Sequence, residues 1–197
     1  MKQYGSLSTT GIEFIPDTHT YLYYGVVIPS VSEIVRYRFP EAYKNIPEKI
    51  LKKKASYGTK VHELIESFLK GEITMEEIQA KRIDPNIKIA VEQFEYLRKK
   101  WCFYIKDMER IVTYDGMYAG MFDLLTVDNK VIDIKTTADL HMDWLALQLG
   151  LYQLGLDLNN ETAYCMWLPK GKAGKVVEVK PLTKVECIKI LCEYHNL

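Results

Sequence analysis

MERIVTYDGMYAGMFDLLTVDNKVIDIKTT, residues 108–137, holds three strand-like runs in close succession: MERIVTY, YAGMFDLLTV and KVIDIKTT. Branched and aromatic residues fill the runs, and Asp115-Gly116 and Asp128-Asn129 stand between them as turn dipeptides. Short turns join neighbouring strands antiparallel, so the stretch predicts a three-strand meander. A turn at Asp128-Asn129 makes positions summing to about 257 face each other, which sets Asp123 beside Ile134.

The flanks have a different period. Upstream, residues 12–24 predict two short strands around a turn at Asp17, and Pro29-Ser30 opens a helix with Ser30 or Ser32 as its cap. Between Pro47 and Leu69, Val61, Leu64, Ile65 and Phe68 recur at helical spacing, with Gly58 as an expected bend and Gly71 as the stop. A further helix is expected from about Asn86 to Phe103. Downstream, residues 143–158 return to helical spacing, two strands flank the loop KGKAG, and Thr183 to Tyr194 closes as a helix. Helices, three strands, helix, two strands, helix is the signature of a mixed α/β (α+β) layer fold around a central sheet. With no repeat and no linker, the 197 residues read as one domain: an N-terminal hairpin and basic segment over 1–57, a core over 58–169 and a closing strand and helix over 170–197.

Composition narrows the function. Lysine plus arginine number 26 and aspartate plus glutamate 26, which excludes a polybasic protein that binds through bulk charge. Aromatic residues at 12% exclude a disordered chain. No apolar run reaches the roughly 20 residues of a membrane span and no leader segment is visible, so the expectation is a cytoplasmic protein with no membrane partner. The four cysteines form no C-x-x-C pair and read as small core residues.

Chemistry concentrates in Asp123, Asp133 and Lys135. Strand alternation sends Asp133 and Lys135 to one face of VIDIK, and Asp123 sits on the adjoining strand. Two carboxylates and a lysine inside a sheet are costly unless paired or bound to a cation. An internal Asp–Lys ion pair and an oxygen-liganded divalent ion both answer that cost. In GTKVHELIE, His62 and Glu66 are four apart on one edge of the apolar stripe, where a helix packed on the sheet presents them to the acids or leaves them as packed and surface residues. Gln148 and Tyr152 lie one turn apart on the helix after VIDIK, as site groups or as its polar edge.

The balanced total hides a basic segment. Residues 36–60 carry eight basic residues, among them Arg36, Arg38, Lys52, Lys53, Lys54 and Lys60, against Glu41 and Glu48. Tyr37, Tyr43 and Tyr57 are interleaved. Such a surface suits phosphates and unpaired bases, or is a solvated helix face. Lys170, Lys172 and Lys175 offer a second phosphate contact or an ordinary hairpin tip.

The ordered set G-T-x-x-H (Gly58 to His62), G-x-x-D (Gly120 to Asp123), D-I-K (Asp133 to Lys135) and Q-x-x-x-Y (Gln148 to Tyr152) resembles the PD-(D/E)xK nuclease superfamily. Within it the chain is similar to the RecB-like exonuclease branch of phage recombination exonucleases, Cas4-type proteins and the mitochondrial genome maintenance exonuclease. The likeness runs from about residue 20 to 168, and Phe122 stands where the family name has proline. It implies a restriction-endonuclease-like core. Asp123, Asp133 and His62, with the carbonyl of Ile134, would ligate Mg²⁺ or Mn²⁺. Lys135 would position or activate the attacking water and offset charge on the phosphate, and Gln148 and Tyr152 would line the site. Glu66 has no secure counterpart and is kept as a group behind the ligands or beside a second metal. Arg36, Arg38, Lys52, Lys53, Lys54, Tyr57 and Lys60 are the expected DNA-binding residues. The cysteines do not match the cluster-bearing members, so no iron–sulfur cluster is expected.

The implied activity is metal-dependent exonucleolytic hydrolysis of DNA in phage-type recombination or repair, in a bacterial or phage-infected cell, on single strands or duplex ends. A single-strand annealing or recombination protein is the implied partner. A non-catalytic nucleic-acid-binding module of the same fold and a structure-specific endonuclease are the alternatives.

Overall fold

The computed structural model describes residues 11–40 and 48–197, leaving out the side chains of 48–54. In chain order the elements are β1 (Ile12–Ile15), β2 (Thr20–Tyr23), β3 (Val26–Ile28), α1 (Val31–Arg38), α2 (Glu48–Leu69), α3 (Met75–Ala80) and α4 (Pro85–Lys100). Then follow β4 (Ile105–Thr113), β5 (Ala119–Thr126), β6 (Val131–Lys135), α5 (Met142–Gly155), β7 (Ala163–Trp167), β8 (Lys175–Val179) and α6 (Lys184–His195). The result is a mixed α/β fold in which helices flank a central five-stranded sheet, with a separate three-stranded antiparallel sheet at the N-terminal end.

The five strands stand in the order β4-β5-β6-β7-β8, antiparallel except for the β6–β7 pair. The meander forms as its turns require: Asp115 and Gly116 both take positive φ, and Met117 N–H donates to Tyr114 C=O at 2.9 Å. A parallel β7 demands a crossover, and α5 supplies it. One buried cluster joins α1, α5 and α6 to the sheet through Val31, Leu145, Leu149, Cys187 and Leu191. A second, with Val61, Ile65, Val91, Phe94 and Ile132, joins α2, α3 and α4 to it. Ser30 is the cap of α1, with Glu33 completing a capping box.

Several expectations need correction. The N-terminal hairpin has a third strand, β3. Gly58 does not interrupt α2, which runs unbroken from Glu48 to Leu69. Its lack of a side chain serves close passage instead, since a Cβ there would lie 3.1 Å from Thr136 Oγ1. The helix after Asp84 stops at Lys100, and Cys102 follows it in a turn with φ 53°.

Gly120 has a similar role. A Cβ at this position would meet Val31 Cγ2 at 2.4 Å and the Tyr152 ring at 3.0 Å, so the bare strand seats both α1 and α5. Gly120→Ala is expected to cost about 1–3 kcal/mol by overpacking, read as a fall in the urea midpoint at unchanged slope.

Candidate active site at the end of strands β5 and β6

The β5–β6 ladder pairs Leu124 with Ile132 and Leu125 with Val131, one residue away from the expected register. By that count Asp123 falls opposite Asp133. The Asp123 side chain nevertheless reaches the expected neighbour: Ile134 N–H donates to Asp123 Oδ2 at 2.6 Å. Next to it, β6 buries Asp133 to 1% exposure between Ile132 and Ile134.

Each carboxylate has its own partners. His62, brought in by α2, places Nδ1 3.5 Å from Asp123 Oδ1. Lys135 Nζ lies 2.9 Å from Asp133 Oδ1 and 2.7 Å from Oδ2, the latter off the line of a hydrogen bond. From α5, Gln148 Nε2 donates to Asp133 Oδ1 at 3.1 Å and sits 3.0 Å from the Tyr152 hydroxyl. Four separated motifs thus bring their side chains into two adjoining polar groups, bridged by the Ile134 N–H. Among the described residues, however, no three His, Cys, Asp or Glu side chains stand ready as a metal cluster. The three expected ligands are split between a His62–Asp123 couple and an Asp133–Lys135 couple.

Charge explains the split. Burial pushes the Asp133 carboxyl up to about 6, Lys135 pulling it down and Asp123 adding to the rise. Burial acts on Asp123 in the same direction, but the His62 charge overrides it and holds its pKa below the ordinary value. For His62, burial lowers and the carboxylates, Asp123 foremost, raise, with a net rise that favours imidazolium. Lys135 likewise loses to burial and gains more from Asp133 and Asp123, so its pKa is raised. The raised pKa keeps Lys135 an ammonium, which suits the expected role of offsetting charge on the phosphate and not that of a base activating the water. Burial, then the nearby acids, keep Tyr152 a neutral phenol.

Donor chemistry still fits a hard divalent ion. Two carboxylates and an imidazole stand on adjoining elements, β5, β6 and α2, and the buried Asp133 Oδ2 has no hydrogen bond in line. A crevice of about 10 Å³, room for one water, lies between His62, Glu66, Glu109, Asp123 and Ile134. Glu66 is therefore no surface residue: it is 8% exposed and ion-paired with Lys70. Glu109 was missed by sequence reasoning. The β4–β5 register, Met108 with Leu124 and Arg110 with Phe122, sets Glu109 opposite Asp123, and its φ of 46° is left-handed. That register would have found it.

The expected DNA contacts are only partly assembled. Arg36, Arg38 and Lys60 are exposed, and the Arg38 guanidinium lies 5.6 Å over the Phe39 ring. Tyr57 is not an open ring: its hydroxyl donates to Asn86 C=O at 3.2 Å, and Lys170 Nζ covers its face at 5.0 Å. Lys170 is also paired with Asp84 at 2.6 Å, and Lys175 sits over Trp167. The side chains of Lys52, Lys53 and Lys54, like Tyr43, lie outside the described residues. No described helix is long and apolar enough to cross a membrane.

No protein-family model and no curated protein matches the chain. Among solved structures it is similar to one described as "Crystal structure of SSO0001", at 13% identity and a TM-score of 0.36, over 84% of this chain and 86% of that one. So low a score assigns neither fold nor function.

Proposed function

We propose that the chain is a metal-dependent deoxyribonuclease of restriction-endonuclease-like fold and RecB-like type, hydrolysing phosphodiester bonds from a DNA end. One observation supports this reading: two polar groups, His62–Asp123 and Lys135–Asp133–Gln148–Tyr152, drawn from four motifs, adjoin where Ile134 N–H donates to Asp123 Oδ2. With His62 deprotonated to the neutral imidazole, His62, Asp123 and Asp133, with the Ile134 carbonyl, would hold Mg²⁺ or Mn²⁺, which would supply Lewis-acid neutralisation of the phosphate and a more acidic water.

The chain's own residues do the rest. Lys135, a fixed ammonium beside Asp133, donates to the phosphate oxygens as negative charge builds on them. Gln148 fixes the Asp133 carboxylate from α5, and Tyr152 in turn fixes Gln148. The His62–Asp123 couple orients a second carboxylate without spending Lys135 on it. Arg36, Arg38 and Lys60 supply exposed positive charge for the DNA backbone.

The division into two ion-paired couples favours one rival, a nucleic-acid-binding module that keeps the fold without catalysis. End-labelled single- and double-stranded DNA, with free or blocked ends, separates the two when incubated with Mn²⁺ or with EDTA. Shortening of free-ended DNA in Mn²⁺ alone is expected. Binding without cleavage under every condition would select the module.

A further inference from the structure

One face of α5 continues past the site. Tyr152, Gln148, Trp144 and His141 follow at helical spacing, from the polar network out to the first turn. At 1.5 Å per residue, Trp144 lies about 6 Å and His141 about 10 Å along the axis from Gln148, which touches Asp133.

What stands there is a stack. The His141 and Trp144 rings lie 3.9 Å apart between centroids at 21°. Phe39, from the end of α1, backs the indole at 6.4 Å, and Arg38 covers Phe39. Although His141 occupies the cap position of α5, its side chain makes no capping hydrogen bond. It is exposed, so the stack is not closed off from solvent. Asp139 and Asp143 are exposed on either side of it and repel phosphate. The surface selects for an aromatic, uncharged group, with the backbone charge met by Arg38.

We propose that the His141–Trp144 stack seats an unpaired nucleobase of the strand whose phosphate lies at Asp133 and Lys135. A base inside a duplex has both faces covered by its neighbours, whereas an unpaired base has a free face to stack. The substrate strand is therefore held single-stranded at this point, and a blunt duplex end must fray to enter. The position of the phosphate rests on the nuclease reading, while the stacking can be read without cleavage.

The test measures anisotropy of a labelled oligothymidylate in EDTA, with a single abasic position walked along it. Wild type is expected to lose about 5- to 100-fold in affinity at one abasic position, the worth of one stacked base. His141→Ala should weaken the intact oligonucleotide by a similar factor and be blind to that abasic position, and His141→Phe should restore both. If no position depends on its base, or if His141→Ala binds and discriminates as wild type does, the proposal is overturned. Base-dependent binding that needs His141, without cleavage of any DNA in Mn²⁺, sustains the stack and removes the enzyme. Cleavage in Mn²⁺ with no effect of His141 removes the stack and leaves the enzyme.

Discussion

Lys135→Ala is expected to slow DNA cleavage about 10²–10³-fold, chiefly in kcat, the range for losing one donor to a developing charge. The ammonium lies against Asp133 at the end of β6, and its raised pKa fixes it as a cation across the working pH range. Its charge is thus available when the phosphate gains negative charge and cannot act as a base. Lys135→Arg should not rescue, because a planar fork on a longer stem places its charge elsewhere. With 28% of the side chain exposed, the alanine variant should keep its fold, and far-UV circular dichroism checks this. Activity unchanged by the substitution would remove Lys135 from the mechanism.

Asp133→Asn should give the second large effect, with opposite signs on stability and activity. In the folded chain the Asp133 carboxyl titrates at about 6, above its ordinary value of 3.8. The native state therefore binds more protons than the unfolded one between about pH 4 and 6. Stability is greatest below the unfolded pKa and is lost as pH rises through 6, where the buried carboxylate must ionise. Asparagine removes that cost. In EDTA at pH 8 the variant is expected to be more stable by about 1–3 kcal/mol, the gain fading towards pH 4. Mn²⁺ should narrow or invert the difference, raising the wild-type Tm by mass action more than the variant's. The variant should also lose cleavage. Equal melting curves for the two proteins in EDTA at pH 8 would contradict the charge balance derived for the site.

Much of this was legible before any coordinates, for local reasons. Asp115-Gly116 has few ways to turn, Pro29-Ser30 marks a helix start with Ser30 among its two expected caps, and the alternation in VIDIK sets Asp133 and Lys135 on one face. The expected stripe of Val61 and Ile65 is buried at 0% and 1%, which orients His62. What stayed hidden depends on depth and close approach. The place of Glu66, towards the acids or on the surface, stays open in the sequence because its own helix cannot say how near the sheet lies. α3 was passed over although Thr74 and Glu77 form a capping box, since six residues are too few to show a period. Gly58 read as a bend because its partner, Thr136, is distant in sequence. The Lys135 pKa followed the acids around it rather than its own burial.

In the proposed enzyme, His62, Asp123 and Asp133 serve one divalent ion. Titration of Mn²⁺ followed by electron paramagnetic resonance counts bound ions directly, with no DNA present. Wild type should bind Mn²⁺ saturably at pH 8, and His62→Ala, Asp123→Asn and Asp133→Asn should each weaken that same site at least about tenfold. Equal binding by all four proteins, or none by the wild type, would mean that these side chains form two structural ion pairs and no metal centre.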